Sequence, residues 1–216
     1  RPMRSICGIL SATALLSGLA GPALAQEAGA SFEQVQYEAC LNLINENPEA
    51  AYEEGLAWRA QGGSWPAMHC IALSQVALEQ YGIAARRLES TAEGAVVATD
   101  ATRAIMFGQA GDAWLAAGEP ANAGRAFSRG RDFGPDDAGL ALGVAEAAVL
   151  QENWDMAEQS ASDAIRLDPA LVRGWQIRAQ AHLEQGNLDA AAAAVRQAEI
   201  ALEQVNIRAP FAGVFD

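Results

Sequence analysis

Few residues in this sequence could perform acid–base or nucleophilic chemistry. The 216 residues include two histidines, His69 and His182, and three cysteines, but no lysine. The lack of lysine excludes Schiff-base chemistry and the lysine of a phosphate-binding loop. His69 and Cys70 are neighbours in the chain, and neighbouring side chains on a helix project about 100° apart, so these two residues do not face each other as a catalytic pair. The sequence therefore predicts no catalytic residue.

The potential ligands and the charge balance exclude further classes of function. The sequence contains no Cys-x-x-Cys, no His-Glu-x-x-His and no calcium-binding loop of alternating carboxylates, so no metal ion or other cofactor is expected. The formal net charge is −13, from 14 Lys+Arg and 27 Asp+Glu, whereas nucleic-acid binding needs clustered basic side chains. We therefore expect a non-enzymatic protein that does not bind nucleic acid.

The first 25 residues have the pattern of a secretory signal peptide. Arg1 and Arg4 precede an uncharged run over residues 6–20, and a small-x-small motif ends at Ala25. The run is about 15 residues long, shorter than the roughly 20 residues of a membrane-spanning helix, which favours a cleaved leader. The alternative is a leader that is not cleaved and anchors the protein in the membrane. Cleavage is predicted between Ala25 and Gln26. We expect a periplasmic or secreted product with no membrane insertion after cleavage.

Two cysteines, Cys40 and Cys70, remain after this cleavage. An even number of cysteines in an oxidising compartment favours a disulfide bond between them. Closing a loop of about 31 residues stabilises a fold by about 3–4 kcal/mol in the chain-entropy model. The alternative is a pair of buried free thiols that act as small apolar side chains.

A repeat of 34 residues organises the rest of the chain. It relates three sets of positions: Gly118, Glu152 and Gly186; Ala123, Ala157 and Ala191; and Phe127, Ala161 and Val195. Each unit predicts two short helices separated by a break, and the chain as a whole predicts ten helices in five hairpins. We assign residues 1–25 to the signal peptide, 26–98 to two degenerate hairpins, 99–205 to three regular repeats and 206–216 to a C-terminal tail. An insertion of five residues is expected at 93–97.

These residues resemble the tetratricopeptide repeat (TPR) family, with units that start at Ala104, Ala138 and Val172. Position 4 is Phe107, Ala141 and Trp175, position 8 is Gly111, Ala145 and Ala179, and position 20 is alanine in every unit. Departures from the family pattern are Ala148 and His182 at position 11 and Glu203 where proline is usual. The resemblance implies an all-α fold, an α-solenoid of helix-turn-helix repeats that binds a protein or peptide partner.

In this family, positions 2, 5, 9 and 12 of each first helix line a concave groove. Here they are Ile105, Gly108, Asp112 and Leu115, then Gly139, Leu142, Glu146 and Val149, and finally Arg173, Gln176, Gln180 and Leu183. Spacings of three and four residues place each set on one helix face. Apolar residues beside carboxylates predict a segment that is apolar with basic flanks. The alternative is a solvated face with no ligand.

Two other functions remain open. The first is a pump adaptor, because residues 198–216 resemble the segment in which a helical hairpin re-enters the lipoyl domain of periplasmic pump adaptors. This resemblance implies that a β-strand begins at Ile207-Arg208-Ala209-Pro210-Phe211. The second is an accessory module whose catalytic partner is a separate chain. The sequence predicts neither the partner, nor the pathway, nor the oligomeric state.

Export of the chain with its leader should yield a mature protein that begins at Gln26, because the small-residue motif ends at Ala25. Intact-mass spectrometry of the periplasmic fraction measures this directly. A membrane-retained product that keeps residues 1–25 would contradict the assignment.

Overall fold

The computed structural model describes residues 31–208, with side chains through residue 204. The predicted signal peptide, its cleavage site at Ala25 and Gln26, and tail residues 209–216 lie outside this part. The described residues form ten α-helices and no strand: α1 Phe32–Glu46, α2 Pro48–Ala60, α3 Trp65–Ala77, α4 Tyr81–Gly94, α5 Asp100–Ala116, α6 Pro120–Phe133, α7 Ala138–Leu150, α8 Trp154–Leu167, α9 Val172–Glu184 and α10 Leu188–Arg208. The predicted all-α fold of five hairpins is confirmed.

The helices stack in chain order. Each hairpin packs its two helices together, and its second helix packs on the first helix of the next hairpin, as α6 does on α7 and α8 on α9. First helices of successive hairpins also touch, in the pairs α1 with α3, α5 with α7, and α7 with α9. A single buried cluster runs from Ala72 on α3 to Ala147 on α7. This arrangement is an α-solenoid, in which each repeat buries its apolar face against its neighbours.

Each regular hairpin closes through a turn whose central residue has a positive φ. The values are 74° at Gly118 and 81° at Gly186, and 55° at Glu152. The residue after each centre donates its N–H to the preceding helix, as Asn153 does to the Ala148 carbonyl at 2.9 Å. This left-handed helix ending explains the 34-residue spacing of the three central positions.

Small residues allow the helices of a hairpin to approach closely. The alanines at position 20 are fully buried at Ala123 and Ala157, and Ala191 is 7% exposed. The Phe127 ring of α6 lies between Gly111 on α5 and Gly143 on α7, and a Cβ atom on either glycine would be 2.6 Å from that ring. The predicted close approach at positions 8 and 20 is therefore confirmed.

The five-residue insertion differs from the prediction in its location. The α4–α5 loop, residues 95–99, is one residue longer than the equivalent loop at 134–137, and α5 starts four residues before the repeat start at Ala104. The extra helical turn carries Arg103, whose Nε donates to the Ala92 carbonyl at 2.8 Å and whose guanidinium lies 4.0 Å from the Phe133 ring centroid. These contacts satisfy a carbonyl at the end of α4, so the insertion forms helix instead of loop.

The disulfide between Cys40 and Cys70 is present and joins α1 to α3, with the two Cα atoms 6.2 Å apart. Gly55 on α2 lies against this bridge, where a Cβ atom would be 3.2 Å from the Cys70 Sγ atom. The predicted pairing is confirmed. It holds the first hairpin, which lacks the regular repeat pattern, against the second.

The C-terminal helix runs further than the sequence predicts. α10 continues through Arg208, so the predicted boundary of the tail at residue 206 is too early. Ile207 and Arg208 are helical, and the β-strand that the pump-adaptor resemblance places there is wrong for these two residues. The remainder of that strand, from Ala209, lies outside the described residues.

Replacing Gly143 by alanine should lower the free energy of unfolding by about 1–2 kcal/mol, because the new Cβ overlaps the Phe127 ring. Gly124→Ala is the matched control, since its Cβ would make ordinary contact at 3.5 Å with the Ala147 methyl group. The control should be neutral or stabilising by up to about 1 kcal/mol through helix propensity. Thermal and urea melts compare the two, and equal stabilities of both variants would show that Phe127 does not constrain the packing.

Candidate functional site

A cleft of about 360 Å³ opens between α5 and α7. It collects six of the predicted groove positions: Ile105, Gly108 and Asp112 from α5, and Gly139, Leu142 and Glu146 from α7. Each helix contributes residues spaced three or four apart, which places them on one face. The helix phase predicted from the repeat is therefore correct for this pair of helices.

Part of the cleft lining is apolar. Ile105 is 56% exposed and Leu142 is half-buried. Gly108, Gly139 and Gly143 also line the cleft, and a Cβ on Gly108 would be 3.1 Å from Leu140. The exposed isoleucine provides apolar surface that water solvates poorly.

Three carboxylates line the cleft, those of Asp112, Asp137 and Glu146. Burial raises the pKa of Asp112, and the nearby negative charge of Glu146 raises it further. Glu146 accepts a hydrogen bond at 3.0 Å from Arg173 Nε on α9, and this ion pair partly neutralises it. Asp112 has no cationic partner among the described residues. Asp137 caps α7 by accepting hydrogen bonds from the N–H groups of Gly139 and Leu140, so Asp112 is the carboxylate of the cleft that has no partner among the described residues.

The other predicted groove residues lie outside the cleft. Leu115 and Val149, at position 12 of their units, are partly buried against the core clusters. Gln176, Gln180 and Leu183 are exposed on α9 but do not line the opening. The structure therefore brings together the groove residues of the first two regular repeats, and it connects the third repeat through Arg173.

The structure adds a residue to the cleft that sequence reasoning missed. Gln109 lines it, and its Oε1 atom lies 2.6 Å from Nε2 of His69 on α3. His69 is 4% exposed, and its Nδ1 atom lies 2.6 Å from the hydroxyl of Tyr37 on α1. These three residues come from three hairpins with no shared spacing, so no pattern along the chain identifies them.

Burial controls the protonation of this hydrogen-bonded group. It lowers the pKa of His69, with the hydrogen bond to Gln109 acting in the opposite direction, and it raises the pKa of Tyr37. The imidazole is therefore neutral at neutral pH and the phenol keeps its proton. Cys70, next to His69, is oxidised to the disulfide and is not available as a nucleophile.

The arginines of α6 make a second depression, of about 470 Å³, against α8. Arg129 pairs with Glu93 and lies 4.9 Å from the Phe107 ring centroid, and Arg125 donates to Asn122. Arg129 is therefore paired with a carboxylate, whereas Arg125 donates to the neutral Asn122 side chain and the Ala121 carbonyl.

Within residues 31–208, no three His, Cys, Asp or Glu side chains are grouped so that they could hold a metal ion. The same part of the chain has no helix whose length and hydropathy would suit a membrane crossing. His182, the second histidine, has a side chain that is 15% exposed, with Nδ1 lying 3.8 Å from Glu158. Its position between helices agrees with the packing role expected at repeat position 11.

The raised pKa of Asp112 has a consequence for stability. The folded state holds this proton more tightly than the unfolded state, so ionised Asp112 costs stability at neutral pH, and the cost disappears as the pH falls through the raised value. Asp112→Asn should therefore raise the Tm at pH 7, on the order of 1 °C. The gain should vanish below the ordinary value near 3.8. Thermal melts at several pH values test this, with Asp132→Asn on α6 as control, and a lower Tm for Asp112→Asn at pH 7 would contradict it.

Comparisons with known proteins find solved structures of similar fold but no protein of similar sequence. No protein-family model matches the chain, and no curated protein matches it in sequence. The solved structure titled "Crystal structure of MamA" superposes with a TM-score of 0.67 at 15% identity, over 82% of this chain and 98% of that chain. MamA from Desulfovibrio magneticus RS-1 gives 0.67 at 13% identity, over 81% and 97%.

A third structure is YrrB, titled "a TPR protein with an unusual peptide-binding site". It superposes with a TM-score of 0.61 at 14% identity, over 79% of this chain and 88% of that chain. These superpositions agree with the 34-residue spacing and the buried alanines. Residues 31–208 therefore have the fold of tetratricopeptide repeat proteins.

Proposed function

We propose that this protein is an exported, non-enzymatic scaffold that binds a protein or peptide segment, apolar with basic flanks, in the cleft between α5 and α7. The observation that carries this proposal is the exposed Ile105 beside the uncompensated carboxylate of Asp112. An aliphatic side chain of the partner would cover Ile105 and Leu142. A neighbouring lysine or arginine of the partner would pair with Asp112.

The fold supports this reading of the cleft. TPR-type solenoids bury most of their apolar surface between repeats and leave the first-helix face for a partner. YrrB, which has the same fold, is described in its title as having a peptide-binding site. In the present chain Gly108, Gly139 and Gly143 place main chain of α5 and α7 in the lining of the cleft.

Electrostatics favour a basic partner over an acidic one. The whole chain has a formal charge of −13, and the cleft is lined by Asp112, Asp137 and Glu146, of which Glu146 pairs with Arg173. Charge of one sign raises the rate of association more than the final affinity. The basic residue of the partner is placed nearest Asp112, because Glu146 already pairs with Arg173.

Export and the lack of catalysis belong to the same proposal. The disulfide between Cys40 and Cys70 supports an oxidising compartment, where such bonds persist. The leader pattern of residues 1–25 agrees with that location. Cys40 and Cys70 are joined in the disulfide and His69 is hydrogen-bonded and buried, so these three side chains have structural roles.

A selection of random 12-residue peptides displayed on phage tests the specificity. Enriched peptides should contain a large aliphatic residue within three positions of a lysine or arginine. Asp112→Asn should weaken binding of the best peptide about 3- to 10-fold, as expected for a rim charge pair worth about 1 kcal/mol. Ile105→Ser should weaken it about 5-fold or more through lost apolar contact. Fluorescence anisotropy with the labelled peptide measures both.

Asp132→Asn and Glu54→Gln are the charge-matched controls, because both residues are exposed and lie outside the cleft. They should leave the affinity unchanged. Raising the salt concentration should slow association with the native protein more than with Asp112→Asn. Peptides that bind the native protein and Asp112→Asn equally well, or a selection that enriches no sequence, would indicate that the cleft is only a solvated face.

A further inference from the structure

We propose that Tyr37, His69 and Gln109 form a hydrogen-bonded chain that fixes the side-chain amide of Gln109 as a donor to a main-chain carbonyl of the bound peptide. This inference rests on the proposed function, since it assigns the recognition of the peptide main chain to one group in the cleft. It extends the site to α1 and α3, two helices that contribute no residue to the cleft lining.

The geometry connects three hairpins through one buried side chain. The Tyr37 hydroxyl lies 2.6 Å from His69 Nδ1, and His69 Nε2 lies 2.6 Å from Gln109 Oε1. The His69 ring packs against two aromatic neighbours, with the stacked Tyr37 ring at a centroid distance of 5.8 Å and the Trp65 ring centroid at 6.4 Å. The imidazole therefore has one fixed orientation and one partner at each nitrogen.

The hydrogen-bond partners of the His69 imidazole, Tyr37 and Gln109, determine its tautomer. A neutral imidazole has one N–H donor and one acceptor nitrogen. A phenol is a better hydrogen-bond donor than acceptor, so the Tyr37 hydroxyl donates to Nδ1 and the proton of the ring is on Nε2. Nε2–H then donates to Gln109 Oε1. Burial, which lowers the pKa of His69, keeps the ring in this neutral form.

The amide of Gln109 is thereby oriented. Its oxygen is used by His69, which leaves the two N–H donors of Nε2, and these have no hydrogen-bond partner among residues 31–208. The charged groups beside it, Asp112 and Glu146, are carboxylates that accept hydrogen bonds when ionised. A peptide main chain presents both N–H and C=O groups. Gln109 supplies the donor that the carboxylates lack.

The disulfide helps to hold Tyr37, on α1, at hydrogen-bonding distance from His69 on α3. Cys40 follows Tyr37 by three residues on α1, about one helical turn, and Cys70 follows His69 directly on α3. The bond between the two cysteines holds α1 against α3 beside the hydrogen bond between Tyr37 and His69. The position of the tyrosine is therefore fixed covalently from the adjacent turn.

A double-mutant cycle tests the chain of hydrogen bonds. The four proteins are the native chain, Tyr37→Phe, Gln109→Ala and the double variant, and the probe is the fluorescein-labelled peptide with the highest affinity from the phage selection. Gln109→Ala should weaken binding about 2- to 10-fold, the range for one neutral hydrogen bond. Tyr37→Phe should weaken it about 2- to 5-fold, because Nδ1 is then free to take the proton and the amide of Gln109 turns its oxygen towards the cleft.

The decisive comparison is the effect of Tyr37→Phe in the Gln109→Ala background, where we expect no further loss. Tyr52→Phe, on α2, is the matched control and should not change binding. If Tyr37→Phe weakens binding as much without Gln109 as with it, the tyrosine acts through the packing of α1 and the proposal is wrong. If Asp112→Asn weakens binding but Gln109→Ala does not, the peptide binds in the cleft and the proposed function stands. The role assigned to Gln109 is then wrong.

Nitrogen-15 NMR of the imidazole provides a readout that needs no peptide. The native protein should show the His69 proton on Nε2, and Tyr37→Phe should shift the tautomer towards Nδ1–H. A native protein with its proton on Nδ1 would overturn the inference even if the peptide binds. Failure of any peptide to bind, with the expected tautomer present, would instead overturn the proposed function and with it the role of Gln109 in recognition.

Discussion

The close approach of neighbouring helices is the constraint on which the rest of this structure depends. Alanine at position 20 of each regular unit and glycine around Phe127 remove the side-chain volume that would separate the helices. Gly111 and Gly143 contact the same aromatic ring from opposite sides, so α5, α6 and α7 are held as one packed layer. Because the backbones are close, side chains on different hairpins can meet, and the inter-repeat contacts of the site become possible.

Some of the same small residues line the cleft between α5 and α7. Gly108, Gly139 and Gly143 belong to its lining, and Ile105 and Leu142 provide apolar surface beside them. Arg173 extends from the third repeat to Glu146, and Asp112 has no partner among the described residues. The glycines that let α5, α6 and α7 approach closely therefore also shape the cleft, to which the proposed function assigns the partner.

The first two hairpins lack the regular repeat pattern, and other interactions hold them in the stack. The disulfide joins α1 to α3, and the hydrogen bonds of His69 connect both helices to Gln109 on α5. The extra turn at the start of α5 contacts the end of α4, because Arg103 donates a hydrogen bond to the Ala92 carbonyl. Small residues pack closely here as well, since Ala51 and Ala84 are fully buried and a Cβ on Gly55 would be 2.8 Å from Ile71. The covalent and polar contacts add to this packing, and they connect this end of the solenoid to the cleft.

The sequence by itself determined the features that repeat along the chain. The period of 34 residues predicts the ten helices, the positions of the breaks within the regular hairpins, the buried alanines and the face of α5 and α7 that lines the cleft, because each depends on spacing within one or two helices. Only the tertiary structure decided the extra turn of α5, the pairing of Arg173 with Glu146, and the contact of His69 with Gln109. These features depend on the distance and angle between helices of different hairpins, which packing sets and local periodicity does not encode.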